Sequence, residues 1–483
     1  KVDPTNSDFM IKPSEGKIPN GKLPLVLPNT TYTEPNMYYV SGLWDSRNKA
    51  PLIDTLAMDE RRLPAGNTQY PYITADDLFQ PYIMKTVFPI TERTFFTGGF
   101  NNGKESYLLP LKPLVFEYLS IADLRGYTNE THPNPICEIH VGTSVKVTLR
   151  IPIQKGKYIT FERNYFNGQD PVTESNKGGV MECKFNMFLF PSYHIDAPNA
   201  PQRIYVIEQD RGALTRNYRY SAKVYKENKS DALTSSLVSR ADKSRHTYSS
   251  FYYALNEEFD YIVFSNGRAE NVIIPIYENK AGGTRSFDFA VDFGTTNTHI
   301  EWCENKGDAK LTDRNEGNPL EIIEGLPHIL CLSDTHRTTY ENLFDKGAEF
   351  LLASITQEFL PEVIKKGSDC SFPMRTNLSH LRDASIGQRS IVSLADYTIA
   401  FGYEKQAIHI HNEVLTDLKW NRNNNDAVAA YIDELLLLIR NTVVLQGGSL
   451  DKTTIKWFYP EVKFSFGTTA GFNRILPAFI NRF

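Results

Sequence analysis

The stretch Phe287–Ile300, with the sequence FDFAVDFGTTNTHI, decides how this chain is interpreted. Its apolar residues alternate with Asp288, Ala290 and Asp292, which is the period-two pattern of a β-strand. Gly294 then lets the backbone reverse, because a residue without Cβ tolerates conformations that other residues avoid. The sequence therefore predicts a strand that brings Asp292 to a Gly-Thr-Thr turn.

The residues of this turn have the chemistry of a phosphate site. Thr295 and Thr296 offer hydroxyl and backbone N–H groups to an anion. Asp292 would face a hydrated Mg²⁺, because that ion prefers carboxylate and water oxygens. A second strand, at residues 298–303, would close a hairpin over the phosphates. The same residues also suit an ordinary tight β-hairpin, since short motifs recur by chance.

The segment AVDFGTTNTHI at residues 290–300 resembles the first phosphate motif of the actin, sugar-kinase and heat-shock-chaperone ATPase superfamily. The resemblance implies an actin-like (ribonuclease-H-like) fold with ATP or ADP and Mg²⁺ as cofactors. It also implies that Asp292 orients metal-bound water. The residues that would form the loop around the β- and γ-phosphates are Gly294, Thr295, Thr296 and Asn297.

A second group of elements follows downstream in the order that the superfamily has. Asn425 or Asp426 could cap a helix with the sequence AVAAYIDELLLLIRNTVVLQ, which ends before Gly447. An apolar strand is predicted at residues 453–460. A long helix, a polar loop and such a strand also occur in the first lobe of the chaperone branch. The resemblance therefore implies that residues 287–483 form the first lobe of an actin-like ATPase domain.

The resemblance further implies a basic side chain that reaches over the γ-phosphate from the small subdomain. Arg375, in the segment FPMRT, is our candidate for this catalytic role. Arg337, Arg382 and Arg389 are alternatives, and a surface ion pair is the ordinary use of such an arginine. The segments FPMRTNLS, TDLKWN and IKWFYP more weakly resemble large bacterial chaperone-type proteins of the virulence-factor-like group.

Members of the superfamily need two lobes, because the nucleotide is held from opposite sides. The second phosphate hairpin and the adenosine-binding Gly-Gly turn do not occur before Phe483. The segment SFGTTAG, at residues 465–471, repeats the Gly-Thr-Thr turn but has Ser465 in place of the aspartate. We therefore expect half of an ATPase here, and Mg-dependent ATP hydrolysis only when a second lobe is present.

Composition and charge exclude several classes of protein. The chain has 483 residues, of which 41% are hydrophobic, and 52 basic against 57 acidic residues give a net charge of −5. This balance does not indicate nucleic-acid binding. The apolar run LLLLI at residues 435–439 is too short to span a membrane. Five scattered cysteines and the lack of an apolar signal core favour reduced thiols in a cytoplasmic protein.

The chain before the phosphate motif differs from it in composition and in the spacing of its apolar residues. Residues 1–36, rich in Pro, Asn, Lys and Gly, predict an extended arm, and residues 37–134 predict a small α+β region. Period-two segments recur over residues 135–279 and predict a β-sandwich module. The segment KAGGTRS, at residues 280–286, would be the linker. The expected fold class is therefore multi-domain, with an all-β module followed by an α/β lobe.

Two functions remain open from the sequence. In the first, the nucleotide state of an ATP-binding lobe controls the β-rich N-terminal region, which binds a protein partner. In the second, the chain is a non-catalytic scaffold component of a bacterial multiprotein assembly and retains an actin-like fold. An oligomer is compatible with both. The sequence contains no Gly-x-Ser-x-Gly elbow and no dinucleotide fingerprint, so hydrolase and dehydrogenase classes are not supported.

Overall fold

The structure of the chain is a computed structural model. The residues that it describes are 56, 73–128, 133–153, 157–197, 200–208, 220–227, 229, 231–241, 249–305, 317–321, 328–332, 371–381, 397–399, 412–416, 418 and 425–458. The predicted arm at residues 1–36, the SFGTTAG segment, and Arg337, Arg382 and Arg389 lie outside the described residues.

The helices and strands are numbered here in chain order. The α-helices of the described residues are α1 Ala75–Leu78, α2 Val115–Tyr118, α3 Ile121–Leu124 and α4 Asn425–Leu445. The strands are β1 Tyr82–Thr86, β2 Phe95–Phe96, β3 Ser106–Tyr107, β4 Cys137–Val141, β5 Val145–Ile153, β6 Lys157–Asn167, β7 Lys177–Cys183, β8 Phe185–Phe190, β9 Tyr193–His194, β10 Gln202–Glu208, β11 Ser221–Tyr225, β12 Ser236–Ala241, β13 Ser249–Leu255, β14 Tyr261–Ser265, β15 Glu270–Pro275, β16 Glu278–Asn279, β17 Phe287–Phe293, β18 Asn297–Glu304, β19 Asn318–Pro319, β20 Leu330–Cys331, β21 Met374–Arg375, β22 Leu378–Leu381, β23 Tyr397–Ile399, β24 Asn412–Leu415 and β25 Thr454–Phe458.

Strands outnumber helices in the described part of the chain, so the protein is β-rich, in agreement with the coarser part of the expected fold class. Among the described residues no disulfide forms, and the cysteines concerned are Cys137, Cys183, Cys303 and Cys331. Within the described residues, no helix combines the length and the apolar character needed to cross a membrane.

The chain forms two compact units whose segments interleave. The first takes the described residues within Lys1–Cys183, Asn217–Leu233 and Phe259–Ile276. The second takes those within Lys184–Arg216, Thr234–Glu258 and Tyr277–Phe483. The domains expected from the sequence are consecutive ranges, whereas the strands of residues 135–279 are shared between both units. The expected boundary near residue 134 also falls within one sheet, because β1 pairs in parallel with β7.

The first unit contains two sheets around one hydrophobic core. A six-stranded sheet has the order β3-β1-β7-β6-β5-β4, and a four-stranded sheet has the order β11-β14-β15-β2. Val147 and Leu149 of the first sheet belong to the same buried cluster as Val263 and Ile274 of the second. Alternating apolar residues therefore give each sheet one inward face, as the period-two pattern predicts.

The second unit contains the strands of the phosphate motif. One of its sheets has the order β12-β13-β10-β8-β20, and another has the order β19-β18-β17-β25, with β21 also paired to β18. A three-stranded sheet, β23-β22-β24, and the pair β16-β9 complete the unit. β17 and β25 run parallel, and the chain between them contains α4.

Helix α4 packs against the sheet that contains β17. Tyr431, Leu435 and Val443 are fully buried and belong to one cluster with Phe289 and Val291. This agrees with the apolar residues that recur at helical spacing in the sequence. The predicted helix and the predicted strand that follows it are both confirmed.

A Gly-Gly pair ends helix α4. Gly447 has a φ of +70°, in the left-handed region that glycine adopts without strain. The N–H of Gly448 donates to the carbonyl oxygen of Val443 at 2.8 Å. A Cβ on Gly448 would lie 2.5 Å from the Phe287 ring, so the approach of helix and strand also needs glycine. These contacts set the position from which the chain enters β25.

A partly buried carboxyl on α4 makes the stability of the second unit depend on pH. Burial raises the pKa of Glu434 to about 8 from 4.5, although the N–H of Ile399 donates to its Oε2 at 3.0 Å. The neighbouring Asp433 raises this pKa and Arg203 lowers it. Between about pH 4.5 and pH 8 the unfolded chain loses this proton while the folded chain keeps it. The free energy of unfolding therefore falls as the pH rises through this window.

We expect Glu434→Gln to remove this dependence, because the amide is uncharged at every pH. At pH 8.5 the variant should melt at least about 3 °C above the wild type, the shift that ~1 kcal/mol gives in a unit of this size. At pH 4, below this window, the two should melt together. Scanning calorimetry measures both, with Glu278→Gln at an exposed carboxyl as the control. Equal melting temperatures at pH 8.5 would show that folding does not raise the pKa of Glu434.

Candidate functional site

The hairpin predicted over the Gly-Thr-Thr turn is present. β17 and β18 pair in antiparallel register, with Phe293 opposite Thr298. Residues 294–296 connect the two strands without belonging to either. The strand-turn-strand structure predicted from the sequence is therefore confirmed.

Space is the reason for glycine at the start of this turn. A Cβ built on Gly294 would lie 2.2 Å from the carbonyl oxygen of Asn297. A backbone carbonyl cannot move aside as a flexible side chain can, so a larger residue would open the turn. The turn is tight because the two strands pair up to its ends.

Asp292 lies beside this turn on the open face of the sheet. Val291 and Phe293 point into the core with α4, and Asp292, between them, is exposed. β25 runs parallel to β17 and places Phe458 next to Asp292, so the carboxyl ends of both strands meet at one edge. Ligands of open α/β sheets bind at the carboxyl ends of the parallel strands. The turn lies at this edge.

Two backbone donors of the turn are available to a ligand. Within the described residues, no hydrogen bond uses the N–H groups of Thr295 and Thr296. Thr295 is half-buried and Thr296 is exposed. Successive N–H groups with no internal partner form a concave surface that attracts anions.

Arg375 lies next to the turn. It belongs to β21, which pairs with the start of β18 so that Arg375 is opposite Asn297. Residues that face each other in an antiparallel pair project from the same side of the sheet. Arg375 is exposed, and β21 and β17 flank β18, so about 10 Å separates their axes. The structure thus brings Asp292, Asn297 and Arg375 to one face at one edge.

Buried hydroxyl groups bind the turn on the side that faces the core. The Tyr431 hydroxyl donates to Thr298 Oγ1 at 2.8 Å, and Thr298 Oγ1 lies 2.8 Å from Thr376 Oγ1. Thr376 Oγ1 donates to the carbonyl oxygen of Gly294 at 2.7 Å, and its N–H donates to the carbonyl oxygen of Thr296 at 2.9 Å. These roles were not predictable from the sequence, since Tyr431 fits the apolar face of α4 and Thr376 lies 82 residues from Gly294.

A histidine shares the face of Asp292. His299 lies opposite Asp292 in the register of β17 and β18. Its Nε2 lies 2.9 Å from Glu301 Oε1, and its Nδ1 is buried without a hydrogen-bond partner among the described residues. The motif in the sequence did not single out this side chain. Its place two strand positions from the turn makes it a neighbour of the candidate site.

This arrangement suits a phosphate group and a hydrated cation. Amide N–H groups, threonine hydroxyls and the Arg375 guanidinium attract negative charge, and the Asp292 carboxylate attracts positive charge. Among the described residues, no group of three His, Cys, Asp or Glu side chains could enclose a metal ion. A single carboxylate matches Mg²⁺, which keeps several of its waters and takes further oxygens from phosphate.

A small cavity of about 10 Å³, with room for roughly one water molecule, lies elsewhere in the second unit. Apolar side chains line most of it, together with the buried charges of Glu258 and Arg440. Glu258 accepts hydrogen bonds from the N–H groups of Ile195 and Asp196, at 2.6 and 3.2 Å. Its carboxylate is thus used within the fold, and no residue of the phosphate turn lines the cavity. The turn is the better candidate, because Thr296 is exposed and no hydrogen bond among the described residues uses the N–H groups of Thr295 and Thr296.

No protein family, curated protein or solved structure matches this chain.

Proposed function

We propose that this chain binds ATP with Mg²⁺ at the Gly294–Thr296 turn, as the first lobe of an actin-like nucleotide-binding domain. The observation that carries the proposal is the convergence of an aspartate, two turn amides and an arginine at one sheet edge. Asp292 and Arg375 come from strands on either side of β18, and Thr295 and Thr296 lie between them. The negative charge of Asp292 and the positive charge of Arg375 lie on strands about two strand spacings apart, which suits a series of phosphate groups with a bound cation.

Each residue has a separate task in this proposal. The N–H groups of Thr295 and Thr296 bind phosphate oxygens, and the Arg375 guanidinium balances their charge. The Asp292 carboxylate accepts hydrogen bonds from water. A bound Mg²⁺ supplies positive charge that polarises the phosphate oxygens. Gly294 keeps the backbone close enough to the ligand for the amides to reach it.

The β-rich N-terminal region is, in this proposal, the part that binds a protein partner. Closure around a nucleotide is a common way to move one part of a protein against another. Nucleotide binding would then set the affinity for the partner. If the nucleotide binds without turnover, the chain acts as a nucleotide-stabilised component of an assembly.

Asp292→Asn tests the assignment of the site. We expect the variant to bind Mg-ATP at least about tenfold more weakly, because a charge-assisted hydrogen bond of ~1.5 kcal/mol or more is lost. Binding of ATP in EDTA should change little, since Asp292 acts through metal-bound water. Titration calorimetry with Mg-ATP, Mg-ADP and metal-free ATP measures these affinities.

Asp451→Asn is the matched control, because it removes an exposed carboxylate of the same unit away from the turn. It should bind Mg-ATP like the wild type. A wild type that binds no nucleotide would refute the proposed function. Equal affinities of the wild type and Asp292→Asn would refute the role of Asp292.

A further inference from the structure

We infer that Thr376 is a positioning residue that directs the N–H of Thr295 towards the bound phosphate. Tyr431 of α4 is the first donor in the series of hydrogen bonds that holds Thr376 in place. This inference rests on the proposed nucleotide function and extends it to residues outside the phosphate motif. The two side chains reach the turn from sequence positions 82 and 137 residues after Gly294.

The hydroxyl groups concerned are shielded from water. Thr298 and Tyr431 are fully buried and Thr376 is 2% exposed. Their contacts of 2.7 and 2.8 Å have the usual length of hydroxyl hydrogen bonds. Water cannot replace a lost partner at such a depth, so each bond is needed to satisfy the next group.

The donor and the acceptor in each of these hydrogen bonds follow from the number of protons that the hydroxyl groups carry. A hydroxyl carries one proton, and Thr376 donates its proton to the carbonyl oxygen of Gly294. The Thr298 hydroxyl must therefore donate to Thr376 and accept from Tyr431. Burial raises the pKa of Tyr431, so its phenol stays protonated and remains a donor. The hydrogen bonds thus all point in one direction, from α4 to the turn.

The carbonyl at the end of this chain fixes the neighbouring amide. The C=O of Gly294 and the N–H of Thr295 belong to one planar trans peptide and point in opposite directions. Because Thr376 holds the oxygen towards the buried side, the N–H of Thr295 points away from it. The N–H of Thr376 also holds the carbonyl of Thr296, so the turn is fixed at two points by one residue.

The inference predicts that Thr376→Val weakens Mg-ATP binding about tenfold, and that Thr376→Ser restores it. Valine has nearly the shape of threonine but cannot donate to Gly294, whereas serine keeps the hydroxyl. Tyr431→Phe, which keeps the ring packed at 5.5 Å from Phe293, should give a smaller loss of the same kind. Titration calorimetry on the full chain measures the affinities. Hydrogen-exchange mass spectrometry without nucleotide measures the order of residues 291–299.

The outcomes separate this inference from the proposed function. Equal Mg-ATP affinity of the wild type and Thr376→Val would overturn the inference alone, as would a Thr376→Ser variant as weak as Thr376→Val. If the wild type binds no nucleotide, hydrogen exchange without nucleotide tests the positioning role of Thr376. Faster exchange at residues 291–299 in Thr376→Val than in Thr376→Ser supports the positioning role. Equal exchange overturns it. If Thr376→Val fails to fold, Tyr431→Phe is judged by the same two measurements.

Discussion

Replacing Arg163 with methionine is expected to lower the free energy of unfolding of the first unit by about 3–5 kcal/mol, because several partly buried acceptors lose a charged donor. The Arg163 side chain is fully buried, and its Nη2 lies 2.9 Å from Asp76 Oδ1. Its Nη1 donates to the carbonyl oxygens of Phe79 and Gln80, at 2.9 and 3.3 Å. Its Nε donates to Asn176 Oδ1 at 2.9 Å. Methionine fills much of the volume but satisfies none of these acceptors.

Native-state hydrogen exchange in increasing urea measures this loss in peptides from β6 and β7. Lys146→Met is the matched control, because it removes the same charge from an ion pair with Glu162 in which both side chains are about 40% exposed. Surface pairs contribute about 1 kcal/mol or less. If Arg163→Met costs no more than Lys146→Met, the buried network does not stabilise the unit.

Replacing Gly294 with alanine is expected to reduce Mg-ATP affinity by about a hundredfold, or ~2.7 kcal/mol. The added Cβ would lie 2.2 Å from the carbonyl oxygen of Asn297, so the backbone of the turn must shift. Such a shift displaces both the N–H group of Thr295 and that of Thr296. The loss of Mg-ATP affinity is therefore larger than the loss caused by removing one side chain.

Titration calorimetry measures the loss, and the melting temperature shows whether the variant stays folded. Gly282→Ala, in the segment before β17, is the control, because its added Cβ meets no atom within 4 Å. A Gly294→Ala variant that binds Mg-ATP like the wild type would show that the turn does not hold the nucleotide.

Local sequence patterns were enough to predict the hairpin and the long helix. Strand β17 alternates, the turn begins with glycine, and the apolar residues of α4 recur at helical spacing before Gly447. Each of these signals is contained within about 20 residues, so no distant contact is needed to read it.

The division of the chain into units was not predictable in the same way. β1 pairs with β7, about 95 residues away, and β8 pairs with β20 across a greater separation. Strand propensity marks each segment but does not specify its partner strand. The interleaved units therefore became visible only in the structure.

The candidate site was predictable in part. The motif named Asp292 and the turn, and the resemblance pointed to Arg375, which the structure places opposite Asn297. Thr376 and Tyr431 were missed, because a threonine in a loop and a tyrosine on an apolar helix face look ordinary in sequence. Their roles depend on contacts with Gly294 and Thr298, which the fold alone creates.

Hydrogen-exchange mass spectrometry of the full chain, with and without millimolar Mg-ATP, tests the central claim most directly, because it locates the nucleotide. Our account predicts slower exchange in peptides that cover residues 291–299 and 374–377, and predicts that Asp292→Asn reduces this protection. Unchanged exchange in both segments at nucleotide concentrations that calorimetry shows to be saturating, or protection confined to other segments, would contradict it.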